Sequence, residues 1–189
     1  PSANNTKIEK AEDLYNIQSV GKDHPWMKEQ IKFDKEINDT FCDKVYTFYN
    51  IFSPLHCIRL YFEEFEGDNK KFARLFLENP DAMAYAAQQI ANDLDFLIEQ
   101  LFKEVKLDGI YLSVQEVQDA RADKSFHEQY VHPTDLQTIA TIKKCSDTNI
   151  LHICGYGEYT HDLHLFEKYD LSVINWATHT EKTTLKQGK

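Results

Sequence analysis

The sequence has no apolar run approaching the roughly 20 residues that a membrane-spanning helix needs, and its first residues are too polar for a secretory signal. It also lacks an excess of basic residues, since its 189 residues carry a formal net charge of −10. Nucleic acids and anionic membrane surfaces bind basic faces, so we expect neither as a partner. A cytoplasmic location is the default expectation.

Recognisable short motifs are also scarce. The four cysteines, at positions 42, 57, 145 and 154, show no CxxC spacing, and in a chain of this length they do not indicate a disulfide framework. Neither GxGxxG nor GxxxxGK[ST] follows a predicted strand, which argues against the common nucleotide-binding folds. No Ser-His-Asp arrangement can be argued from the sequence either.

What is present suits a globular domain. Hydrophobic residues make up 42% of the chain and aromatic residues 13%, enough for a substantial core. We therefore expect a single domain over 1–189. Within it, 1–24 is a weakly patterned segment that ends near Gly21 and His24-Pro25.

Helical and strand patterns alternate along the rest of the chain. Asn79-Pro80 opens the clearest helix, and apolar residues at three- and four-residue steps predict that it covers 81–105. Runs of β-branched, aromatic and aliphatic residues predict four strands, near 45–49, 110–114, 149–154 and 171–176. This alternation indicates an α/β fold with a parallel sheet. Periodicity alone does not distinguish an open doubly wound sheet from a barrel.

The strongest candidates for a metal-binding or catalytic site are His152 and Cys154. Alternation along a strand places both side chains on one side, and imidazole and thiolate are ligands that zinc favours. On spacing alone, a packed cysteine beside a hydrogen-bonded histidine is the better interpretation. Glu158, His161 and His164 are further candidate ligands, although the two histidines fit a solvated helix surface better.

Strand ends supply the remaining candidates. Ser113 and Gln115 end the second predicted strand and could hydrogen-bond a substrate, or could be ordinary strand-end polar residues. Asn175 ends the fourth strand beside Trp176, which fits the core. His179 fits an exposed loop.

The order and spacing of several strings resemble the uroporphyrinogen decarboxylase superfamily over about 25–189. They are LDGIYLS at 107–113, the helix at 135–144, ILHICG at 150–155 and VINW at 173–176. The resemblance implies a (β/α)₈ TIM-barrel-like fold. A closed barrel usually has eight strands in about 250 residues, so we expect this chain to be an internal, incomplete portion with open sheet edges that self-associates or belongs to a larger molecule.

Two branches of the superfamily remain open. In its zinc-dependent methyltransferases the HxC supplies two zinc ligands, which corresponds to His152 and Cys154, and a further cysteine comes from a later segment. Its porphyrinogen decarboxylases have an N-terminal arginine-rich motif, an early aspartate and a tyrosine shortly before the proline that opens the long helix. None of these is found here; 76–80 reads FLENP.

The expected function is therefore zinc-thiolate methyl transfer between a corrinoid, or another methyl donor, and a thiol. Decarboxylation of a uroporphyrinogen-like tetrapyrrole, in porphyrin biosynthesis, is the alternative, and a non-catalytic fragment of the scaffold is a third. The expected partners are a small-molecule substrate, a corrinoid protein or tetrapyrrole, and a second copy of the chain in a homo-oligomer. The expected substrate contacts are Ser113, Gln115 and Asn175.

Overall fold

A computed structural model describes residues 7–41, 44–155 and 160–188. At its centre lies a four-stranded sheet in which every neighbouring pair is parallel. The strands are β1 (Phe48–Phe52), β2 (Gly109–Val114), β3 (Ile150–Ile153) and β4 (Val173–Trp176). The predicted α/β class and the parallel strands are thus confirmed.

Seven α-helices accompany the sheet in the described part of the chain. They are α1 (Ala11–Leu14), α2 (Pro25–Phe41), α3 (Pro54–Tyr61), α4 (Asn69–Glu78), α5 (Pro80–Glu104), α6 (Lys124–Phe126) and α7 (His132–Cys145). Two π-helical turns, Phe62–Glu66 and His127–Val131, continue α3 and α6, and a 3₁₀ turn covers Leu163–Phe166. None of the described helices has the long, nearly charge-free apolar stretch needed to cross a bilayer.

The strand order β1-β2-β3-β4 follows the chain without reversal. A doubly wound sheet changes direction at a switch point, where ligands bind, and no such point occurs within these four strands. The sheet is therefore compatible with an incomplete α/β barrel. Among the described residues, β1 and β4 each have one side without a neighbouring strand, as the sequence led us to expect.

One face of the sheet packs against helices α5 and α7. Alternate strand residues point into this layer because side chains alternate along a strand. The buried set comprises Ile51, Ile110, Leu112, Val114, Leu151 and Ile153 from the strands, with Ile98, Ile139 and Ile142 from the helices. The long helix begins and ends within one residue of its prediction.

The first strand is displaced from its prediction. The sequence placed it at 45–49, but the structure places it at Phe48–Phe52, and Val45 and Tyr46 are exposed. Pairing decides the position: Phe48 lies opposite Gly109, the first residue of β2, and Ile51 lies opposite the buried Leu112. Residue preference alone could not reveal this register, because both segments are rich in strand-forming residues.

Helix α4, which lies directly before the long helix, was not predicted. Helix α4 occupies Asn69–Glu78, and the Asp68 side chain caps it by accepting the Lys71 N–H at 2.9 Å. Phe72 and Phe76 from this helix pack into the core beside α5. Its signal was an N-cap followed by apolar residues at helical spacing.

The described part of the weakly patterned N-terminal segment, residues 7–24, is fastened to α5. Asp93 accepts the Ser19 hydroxyl at 2.6 Å and the N–H groups of Val20 and Gly21 at 3.0 and 3.1 Å. Leu14 on α1 is fully buried in the adjoining core. Residues 14–21 are therefore part of the packed structure.

Replacing Asp93 with alanine is expected to release this segment. Three hydrogen bonds to one carboxylate are lost, and the expected cost is about 2 kcal/mol of unfolding free energy. Urea denaturation followed by circular dichroism measures the cost, and hydrogen exchange should show faster exchange at 19–21. Glu99→Ala, an exposed substitution on the same helix, is the control; equal stability of the two variants would contradict the fastening role.

Candidate functional site

Three of the candidate residues lie side by side across the sheet near the carboxyl ends of its strands. Ser113 on β2 is paired with His152 on β3, which is paired with Asn175 on β4. They share the sheet face opposite to the α5–α7 layer. Ser113 is buried, His152 is half-buried and Asn175 is exposed. The register thus brings together residues separated by up to 62 positions in the sequence.

A hydrogen bond sets the chemical form of His152. Its Nδ1 lies 2.7 Å from Oδ1 of Asn175. Because an amide oxygen only accepts hydrogen bonds, Nδ1 donates to Asn175, and in the neutral ring the lone pair then lies on Nε2. The Tyr111 ring lies against the imidazole, with ring centroids 5.3 Å apart. The imidazole ring of His152 is therefore held from two sides.

Cys154 lies directly after the last residue of β3. Its N–H donates to the carbonyl oxygen of Val114 at 2.9 Å, so the ladder extends past the end of β3. Alternation along this extended ladder places its thiol on the same side as His152. Burial raises the pKa of this thiol, the charge of Arg59 opposes the rise, and that of Glu63 adds to it. Cys154 on its own is thus a protonated, half-buried thiol.

Helix α3 contributes buried polar groups that the sequence analysis missed. It begins directly after β1, so its first turns lie at the carboxyl edge of the sheet. Arg59 is 3% exposed and forms an ion pair with Glu63 at 3.5 Å. In the sequence, the run of carboxylates Glu63, Glu64 and Glu66 is typical of a charged helix face. A buried charge needs a partner, but only the folded chain shows which carboxylate supplies it.

His56, on the same helix, is also buried and was not singled out. Its Nδ1 lies 3.4 Å from the carbonyl oxygen of Ser113. Burial lowers the pKa of His56 to about 4, partly offset by this hydrogen bond. His56 is therefore a neutral imidazole at neutral pH that links α3 to β2.

The two remaining hydrogen-bonding candidates occupy different surroundings. The Ser113 hydroxyl donates to Oδ1 of Asn50 on β1 at 3.4 Å. Gln115 lies just past β2 and is buried, yet neither its amide nitrogen nor its amide oxygen has a hydrogen-bond partner among the described residues. A buried amide without partners is costly, which makes Gln115 a candidate for a ligand or water contact.

The histidines after β3 correct one expectation. His161 was expected on a solvated helix surface, but it precedes the 3₁₀ turn and is buried, with Nδ1 2.8 Å from Oε1 of Glu181. Because buried polar side chains need hydrogen-bond partners, this contact ties the segment around Glu181 to the one around His161. His164 is exposed beside Glu167, as expected. Glu158 lies outside the described residues.

Gly155 allows the C-terminal segment to approach the end of β3. A Cβ atom at Gly155 would lie 2.8 Å from Cβ of Ala177 and 3.1 Å from Oε1 of Glu181. Trp176 is half-buried rather than fully in the core, and its Nε1 donates to the carbonyl oxygen of Thr183 at 2.9 Å. His179 is exposed, as expected for a loop residue.

As a possible metal centre, the arrangement offers the Nε2 lone pair of His152 and the thiol of Cys154. Within the described residues, no group of three or more His, Cys, Asp and Glu side chains could hold a metal ion. No protein-family model, curated protein or solved structure matches the chain.

Proposed function

We propose that the chain forms part of a (β/α)₈ enzyme that carries out zinc-thiolate methyl transfer, like the zinc-dependent branch of the uroporphyrinogen decarboxylase superfamily. The observation that carries this proposal is the row of paired residues Ser113, His152 and Asn175. Cys154 lies two residues after His152, where its N–H extends the ladder to β2. The barrel is supported by four parallel strands in chain order. In barrels of this kind, active sites lie at the carboxyl ends of the strands.

The donor atoms fit zinc in chemical type. Zinc is bound by neutral imidazole and by thiolate, and a histidine ligand usually donates its other ring N–H to an oxygen acceptor that orients it. His152 has this second contact, from Nδ1 to Asn175. A catalytic zinc normally has three protein ligands, so the third must come from outside the described residues.

The chain's own residues have separate roles in this proposal. Asn175 orients the imidazole of His152 and keeps the proton on Nδ1. Ser113, whose hydroxyl already contacts Asn50, and the unpartnered amide of Gln115 are the candidate hydrogen-bonding groups for substrate. When bound, zinc would lower the pKa of the acceptor thiol and so favour its nucleophilic thiolate form. The substrates would be a thiol and a methyl donor such as a corrinoid protein.

Zinc analysis of the complete protein, purified without chelator, tests this proposal. We expect about one zinc per chain in the wild type and little in Cys154→Ser, because catalytic sites need three protein ligands. Asn175→Leu is expected to weaken zinc affinity roughly 10- to 100-fold through loss of the orienting contact. Cys145→Ser is the matched control, since Cys145 is a half-buried free thiol at the end of α7.

Equal zinc in the wild type and Cys154→Ser, or none in either, would contradict the metal site. The pair would then be a packed cysteine beside a hydrogen-bonded histidine. Turnover of uroporphyrinogen by zinc-free protein would instead support the decarboxylase alternative, and absence of both activities would support a non-catalytic scaffold.

A further inference from the structure

The two edges of the sheet, at β1 and at β4, expose apolar residues in different ways. At β4, Ile174 lies on the face that the helices cover elsewhere, paired with the fully buried Leu151 of β3. Ile174 is nevertheless 48% exposed, because no described helix packs over β4 as α5 and α7 pack over the strands before it. At this edge of the sheet, no described helix therefore covers the face of β4 that carries Ile174.

At β1 the situation is the reverse. Helix α2, which precedes β1, buries Met27 and Ile31 against the C-terminal half of α5 and against Tyr49. On the adjoining side it exposes a stripe at four-residue steps, formed by Phe33, Ile37 and Phe41. No described element covers this stripe. At this edge of the sheet, the apolar stripe of α2 therefore packs on no described strand.

We propose that two copies of the chain close into one eight-stranded barrel, with β1 of each copy paired to β4 of the other. A twofold axis along the barrel preserves strand direction, so both new junctions are parallel, as are all pairs within one copy. Four strands from each copy give eight, the number whose interior side chains just fill. Each α2 stripe then covers Ile174 of the other copy.

The exposed apolar area is sufficient for such an interface. At the β1 end, the large exposed residues are Trp26, Phe33, Ile37, Phe41, Val45 and Tyr46, and at the β4 end they are Val173 and Ile174, each between 37% and 79% exposed. With roughly 150–250 Å² for each large side chain, they offer on the order of 800 Å² per copy, the amount that each partner buries in a standard stable interface.

This inference rests on the barrel part of the proposed function and is independent of zinc. Closure would enclose the sheet face that carries His152 and Asn175, and would place two such sites at one mouth. It would also remove both open strand edges, which otherwise favour aggregation. The partner is a second copy, because the exposed stripe of α2 beside β1 complements the exposed Ile174 of β4.

Complementation between two variants tests the closure. Sedimentation equilibrium of the 189-residue chain should give twice 22.1 kDa. Phe33→Lys and Ile174→Asp, which change one end each, should raise the dissociation constant at least ~30-fold. A mixture of the two should recover dimers, because the heterodimer retains one unaltered β1–β4 junction and places lysine opposite aspartate at the other. If either variant fails to fold by circular dichroism, Ile37→Lys or Val173→Asp replaces it.

Tyr15→Lys is the control, since Tyr15 is 49% exposed and its ring contacts that of Tyr85 in the N-terminal half of α5, away from the α2 contact. It should remain dimeric. A wild-type monomer at ~100 µM, well above typical dissociation constants, would overturn the closure, as would dimers that are insensitive to both variants. If the mixed variants do not recover dimers, the copies pair β1 with β1 or β4 with β4. That result would also overturn the closure. A monomer that binds zinc would overturn the closure and leave the metal proposal intact. A dimer without zinc would support the closure and contradict the metal proposal.

Discussion

Replacing Gly109 with alanine is expected to destabilise the protein by about 3 kcal/mol or more, which is a large part of the stability of a typical domain. A Cβ atom at this position would overlap the backbone carbonyl oxygen of Thr148 and approach Cε1 of Phe48 at 3.0 Å. Backbone atoms cannot move aside as a flexible side chain can. The methyl group would therefore separate the start of β2 from the turn that leads into β3.

Hydrogen bonds hold this turn against β2 and would be strained by the separation. Oδ1 of Asn149 accepts the Ile110 N–H at 2.9 Å, and the Ser146 hydroxyl donates to the Asp108 carbonyl oxygen at 2.6 Å. Urea denaturation of wild-type and variant protein measures the loss. Gly67→Ala is the control: Gly67 has a φ of +65° but open space around it, so it should cost only about 1 kcal/mol. Similar costs for the two variants would contradict the overlap.

The second large effect is a pH-dependent stability controlled by Asp135. This residue lies in the first turn of α7 and is 1% exposed, and its Oδ2 accepts the Tyr169 hydroxyl at 2.7 Å. Burial raises the pKa of Asp135 to about 7, although hydrogen bonds from Tyr169 and Ser53 partly oppose the rise. The folded protein therefore retains a proton here that the unfolded chain loses near pH 4.

Stability must then fall as pH rises from about 4 to about 7, since the unfolded state releases the proton first. Asp135→Asn removes this dependence while keeping an oxygen to accept the Tyr169 hydroxyl. Between pH 4.5 and pH 7.5, the unfolding free energy of the variant minus that of the wild type should increase by about 3 kcal/mol.

Urea denaturation of both proteins at the two pH values measures this difference. Comparing the variant with the wild type cancels opposing contributions from other groups, such as His56, whose pKa is lowered by burial to about 4. Asp81→Asn, at an exposed position in the first turn of α5, is the control and should show no such trend. A variant-to-wild-type difference that is the same at both pH values would show that Asp135 titrates normally.

Local patterns were sufficient for much of the fold. The parallel α/β class, the long helix Pro80–Glu104 and the presence of four strands were predicted from periodicity and turn residues. The placement of His152 and Cys154 on one side of a strand also followed from alternation. These features depend on neighbours within a few residues, which a single sequence displays directly.

The position of β1, the salt bridge of Arg59 with Glu63 and the burial of His161 beside Glu181 were decided by tertiary structure. Two of these depend on residues distant in the sequence, and the salt bridge depends on burial that helical spacing does not reveal. The row Ser113, His152 and Asn175 likewise exists only because three strands pair in one register. Shifting a strand by one residue would turn its side chain to the other face, so the site depends on pairing that no local pattern encodes.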